Sequence, residues 1–153
     1  MDNQIVDPVF GKLTSFKGLM WEGRLDTELL GPDTVLYLET EKAPDDHLRA
    51  LFMRFRDAQA EFKPILQEAL FTHYQNICDE WRELLEEDAE KLAPVLHTSD
   101  QIWALLSNPT LLLYEQLTGR PDLQGVELHW NATWDQEHGL GVKVVDGQVT
   151  EFE

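Results

Sequence analysis

Apolar and polar residues alternate along this chain with two different periods, and the period changes twice. Near the C-terminus, Val126-Glu127-Leu128-His129-Trp130 alternates strictly with period two, which predicts a strand with one buried face. Gly141-Val142-Lys143-Val144-Val145 and Gln148-Val149-Thr150-Glu151-Phe152 flank Asp146-Gly147, the dipeptide preferred in a type I′ hairpin turn. Near the N-terminus, Val9-Phe10-Gly11-Lys12-Leu13 and Leu19-Met20-Trp21-Glu22-Gly23 flank a turn-rich stretch from Ser15 to Gly18. Gly31-Pro32-Asp33 then breaks the chain before Thr34-Val35-Leu36-Tyr37-Leu38-Glu39, which is rich in β-branched and aromatic residues. These segments predict an antiparallel meander.

Between them, at about residues 45–107, the period becomes helical. Leu48, Leu51, Phe52, Phe55 and Ala58 recur at three- and four-residue spacing, behind Asp45 as a candidate N-cap. A longer helix is predicted to carry Phe62, Ile65, Leu66, Ala69, Leu70, Ile77, Trp81, Leu84 and Leu85 on one face and to be closed by Pro94. Thr98-x-x-Gln101 has the form of a capping box, opening a third helix that ends by Asn108-Pro109. After that helix, Thr110 to Glu115 is a buried-looking strand and Gly119-Arg120-Pro121-Asp122 a loop. Strands, then helices, then strands predict an α+β fold in one domain, residues 1–153, with a mainly antiparallel sheet and the central helices packed on one face.

Composition narrows the function classes. Twelve Lys and Arg stand against 29 Asp and Glu, a net charge of −17. Such a charge keeps a protein soluble and steers it toward cations or basic partners. It disfavours nucleic acid and anionic membranes, whose phosphates repel it. The single Cys78 suits a reducing compartment, Met1-Asp2-Asn3-Gln4 lacks the basic start of a secretory signal, and the apolar runs are too short to span a bilayer. A cytoplasmic location is expected.

No Walker loop, G-x-G-x-x-G, G-x-S-x-G or H-E-x-x-H motif is present, so no motif marks an enzyme and no cofactor is implied. Cys78 lies among carboxylates that work against a reactive thiolate and is expected to pack inertly. His73 has no second His or Cys at ligand spacing on its helix and is expected as a packing histidine. Two segments stand out. Glu80, Glu83, Glu86, Glu87 and Glu90 belong to a run of seven carboxylates within residues 79–90, offset only by Arg82 and Lys91. Like charges four apart on a helix, such as Glu83 with Glu87 and Glu86 with Glu90, destabilise it slightly, a cost that a basic partner on that face would explain. The other is Trp134-Asp135-Gln136-Glu137-His138-Gly139. Asp135, Glu137 and His138, with His129 from the preceding strand, are candidate metal ligands. The favoured reading is a structured turn with Asp135 accepting backbone N–H bonds, Gly139 at positive φ and Trp134 in the core. On an unbroken strand Trp130 and Trp134 would share one side, near Trp81.

Phe10-Gly11, Trp21-Glu22-Gly23, a central helical pair at residues 45–92 and the terminal Trp134-Asp135-x-Glu137-His138-Gly139-Leu140-Gly141-Val142 resemble an uncharacterised bacterial family with a W-D-x-E-H-G-L-G-V signature. The likeness spans most of the chain and is specific at its end. Such families are frequently encoded among toxin–immunity clusters, so the resemblance implies an immunity-like binding role and supplies no catalytic residue. The expectation is a non-enzymatic acidic module binding a basic protein, such as a toxin, through Glu80, Glu83, Glu86, Glu87 and Glu90. The alternative is a metal-binding protein or metal-dependent enzyme using Asp135, Glu137 and His138. A homodimer formed through an exposed sheet edge is a third reading.

Overall fold

The two strand-forming regions meet in one eight-stranded sheet whose spatial order follows the chain, β1 to β8. A computed structural model describes residues 3–16, 18–40, 42–114, 125–145 and 148–152. The first meander is β1 (Gln4–Asp7), β2 (Gly11–Phe16), β3 (Met20–Thr27) and β4 (Gly31–Glu39). The helical segment follows, with α1 (Asp46–Asp57), α2 (Gln59–Leu85), α3 (Ala89–Leu92) and a 3-10 helix at Ser99–Leu105. The second meander is β5 (Leu106–Tyr114), β6 (Gly125–Ala132), β7 (Asp135–Val145) and β8 (Gln148–Phe152). Neighbours within each meander run antiparallel, as expected. The meanders join through β4 and β5, which are parallel. A parallel pair needs a long crossover, and the helical segment supplies it.

Register turns the period-two pattern into a core. Leu36 pairs with Leu111, Leu111 with Leu128 and Leu128 with Val142, while Leu38, Leu113, Val126 and Val144 form the adjacent row. All eight are buried and belong to one hydrophobic cluster with Leu48, Leu51, Phe52 and Phe55 of α1 and Phe62, Leu66, Leu70, Tyr74 and Cys78 of α2. Each large apolar side chain fully buried in this way stabilises the fold by about 1.5–3 kcal/mol. Asp45 caps α1 as expected, accepting the Leu48 N–H at 3.0 Å.

Several boundaries and faces differ from expectation. On α2 the buried row is Phe62, Leu66, Leu70, Tyr74 and Cys78, every fourth residue, whereas Ile65 and Leu84 are exposed. Pro64 lies inside this helix. The helix ends at Leu85, ahead of Pro94, because Glu86 adopts φ 50°, ψ −112°. An extra strand, β1, precedes the expected ones; Val9 and Phe10 form a turn, and Ser15 lies within β2. Gly31-Pro32-Asp33 opens β4 instead of preceding it, with Gly31 and Asp33 at positive φ. The third helix is of 3-10 type. Its Gln101 Oε1 accepts the N–H groups of His97 and Thr98, while Asn108-Pro109 falls inside β5, at a register shift. Gly119 to Asp122 and Asp146-Gly147, the expected loop and hairpin turn, lie outside the described residues. Among the described residues no helix is long and apolar enough to cross a membrane.

Candidate functional site

At the C-terminal end of α2 the chain bends back on itself, and the bend gathers the acidic residues. Glu86 breaks the helix, a single 3-10 turn occupies Glu86–Asp88, and α3 follows at once. The expected like-charge pairs therefore do not share one continuous helix. Arg82 turns inward across the bend, where Nη1 donates to Ala93 O at 2.8 Å and Nη2 donates to the Glu90 carboxylate. The Glu90 hydrogen bond holds the Arg82 guanidinium above its ordinary pKa. Glu80, Glu83, Glu86, Glu87 and Glu90 are all exposed. Among the described residues, Glu90 is the one of these five engaged in an ion pair. Leu84, between Glu83 and Glu86 in the chain, has 73% of its surface exposed.

The end of α3 and the two residues after it are gripped by side chains at three successive carbonyls. Thr133 Oγ1 donates to Leu92 O at 2.7 Å, Arg82 to Ala93 O and Tyr74 Oη to Pro94 O at 2.7 Å. Burial pushes the Tyr74 hydroxyl pKa up, which keeps it a donor. Cys78 Sγ lies 3.9 Å from both Ala93 O and Pro94 O, in a buried packing position.

The terminal motif lies largely in β7 and not in a turn; the turn is at Thr133 and Trp134. Trp130 and Trp134 are thus on either side of a strand break, and both are buried. Trp134 packs on Tyr74 at 4.8 Å between ring centroids, and Trp130 meets Trp103 at 6.2 Å. Asp135 Oδ1 accepts the His138 backbone N–H at 3.2 Å and lies 3.2 Å from His138 Nδ1. Glu137 is exposed. Gly139 has φ +68°, and a Cβ there would fall 2.3 Å from Trp130 O. His129 belongs to a different group, with Nε2 3.6 Å from Glu127 Oε2. Among the described residues no group of three or more His, Cys, Asp or Glu stands where it could hold a metal ion. His73 stacks on Phe152 at 4.1 Å between rings, nearly parallel, and burial lowers its pKa.

One group escaped the sequence reading. Glu127, only 3% exposed, accepts a hydrogen bond from Tyr114 Oη and lies 3.9 Å from Lys143 Nζ, which in turn lies 3.5 Å from Glu151. The alternation through residues 126–130 put Glu127 and His129 on one side of β6. It carried no sign that a neighbouring strand on either side would surround the carboxylate.

No curated protein and no solved structure matches this chain. A family match covers residues 9–153, which takes in β2 to β8 and every side chain of the acidic bend and of the carbonyl clamp. The chain belongs to the family described as Domain of unknown function (DUF6985).

Proposed function

We propose that this chain is a non-enzymatic, acidic protein-binding module that meets a basic partner through the bend at the end of α2, in the manner of an immunity protein occluding a toxin. The observation that carries this reading is the exposed Leu84 flanked in sequence by the exposed Glu80, Glu83, Glu86 and Glu87, with the nearby cation Arg82 drawn inward. An apolar side chain flanked by charge is the anatomy of an interface anchor with a polar rim. The net charge of −17 supports the same reading, because a field of that sign speeds encounter with a basic surface by roughly 10–10³-fold. The proposal includes a cytoplasmic location and helices that shield the sheet face carrying Leu36 and Leu38.

The test is co-expression with the products of adjacent genes, followed by association kinetics over a range of salt concentrations. Wild type should bind one basic product, with an association rate that falls steeply as salt rises. Replacing Glu80, Glu83 and Glu87 together by Gln should lower the low-salt association rate by about tenfold and alter dissociation less. If no neighbour-encoded protein binds, or binding ignores salt, the reading is wrong.

A further inference from the structure

We propose that residues 86–94 form a strap that opens as a local unit, hinged at Glu86, and that its opening uncovers Cys78 while the sheet stays folded. This inference concerns the chain alone and needs no partner. Three observations carry it. The hinge is strained: φ 50°, ψ −112° is a region that side chains with a Cβ rarely adopt. The strap's fully buried apolar contribution is small, limited to Ala89 and Ala93. Its closed position depends instead on polar side chains reaching over from elsewhere, with Thr133, Arg82 and Tyr74 holding the carbonyls of Leu92, Ala93 and Pro94.

A segment with few apolar contacts and a handful of hydrogen bonds occupies the low end of the local stability range. The body of α2 lies at the other end, since Leu66 and Leu70 are fully buried in the main cluster. Opening therefore separates the two. It releases Glu90 from Arg82 and removes the carbonyls that lie against the Cys78 thiol. Because the strap carries Glu86, Glu87 and Glu90, it couples the layout of the acidic surface to the exposure of a single thiol.

Cys78 is the one cysteine, so it reports the opening directly. The full chain is treated with iodoacetamide, a neutral reagent that the protein's charge does not repel. The thiolate displaces iodide to form a thioether, and the rate is followed by intact mass over a series of low urea concentrations. Labelling should proceed with a urea dependence much weaker than that of global unfolding. Thr133→Val should speed it by about fivefold or more, the effect of losing one hydrogen bond. Glu90→Gln, which cannot disturb the core because the residue is exposed, should speed it as well. Labelling that follows the full urea dependence of global unfolding would overturn the proposal. So would labelling of Leu13→Ala, a fully buried core change on β2, that speeds up in step with its loss of global stability, because opening of the strap alone leaves Leu13 packed.

Discussion

Gly139 and Asp7 are two residues whose surroundings leave little choice of side chain. At Gly139 the positive φ and the Trp130 carbonyl, 2.3 Å from any added Cβ, act together. Gly139→Ala should therefore cost at least ~2 kcal/mol in urea denaturation, more than the ordinary penalty for Ala at positive φ. A melt matching wild type would show that the β6–β7 pairing has room to shift. Asp7 accepts the N–H groups of Val9 and Phe10 and pairs with Arg49 at 2.7 Å. Burial pushes its carboxyl pKa up, but the Arg49 hydrogen bond and the two N–H groups outweigh that and leave it below the ordinary 3.8. A depressed folded pKa gives stability that is complete above about pH 4–5 and is lost as pH falls through the folded value. Asp7→Asn should cost about 1–3 kcal/mol at neutral pH and flatten the acid limb of the stability curve. An unchanged acid limb would remove Asp7 from that role. The need for Gly139 was legible in a local run of glycines. The Asp7–Arg49 pair was not, since its partners are 42 residues apart.

Elements were legible wherever period and packing agreed. The α1 stripe from Leu48 to Phe55 and its Asp45 cap appear as read, with Ala58 falling just past the helix end, and so do the strands around Leu36 and Leu128, because one buried face writes its period directly into the chain. The ends were less legible because tertiary contacts set them. Pro94 looked like the stop of α2, yet the helix ends where Arg82 can reach Ala93 O and Glu90, a closure among side chains that periodicity does not record. Apolar character puts Ile65 and Leu84 on the expected core face, yet they are exposed, while Tyr74 completes the buried row from Phe62 to Cys78. The parallel pairing of β4 with β5 was equally hidden, since nothing local distinguishes it from another hairpin. For the candidate site, the charge of the bend was legible, but its fold-back and the inward turn of Arg82 were not. The angles at Glu86 resemble the first central position of a type II′ turn, where glycine is at home. Glu86→Gly should thus raise stability by about 1 kcal/mol, the relieved strain exceeding the added freedom of the unfolded chain. Loss of stability by a similar amount would mean that the Glu86 side chain holds the bend in place.

For the molecule as a whole, charge opposes the fold that the core supports. A net −17 on a chain of this size repels itself in the compact state, and the repulsion is strongest where carboxylates crowd without cations, as at Glu80, Glu83 and Glu87. Salt screens this over about 10 Å at 0.1 M, while the partly buried Asp7–Arg49 pair is screened less. Moderate NaCl should therefore stabilise the protein, where a chain held by surface ion pairs would weaken. The expected rise between low salt and ~0.3 M is on the order of 1 kcal/mol, or roughly 2–4 °C in Tm for a domain of about this length. Replacing Glu80, Glu83 and Glu87 by Gln should raise the low-salt Tm and shrink the salt increment, because the removed charges are part of what salt screens. The same triple variant should lose association rate toward a basic partner, so stability and binding would move in opposite directions. Melts at several NaCl concentrations decide the matter. A triple variant no more stable than wild type at low salt, with an equal salt increment, would show that the acidic bend exerts no net repulsion on the fold. The cost that a basic partner was invoked to explain would then not exist.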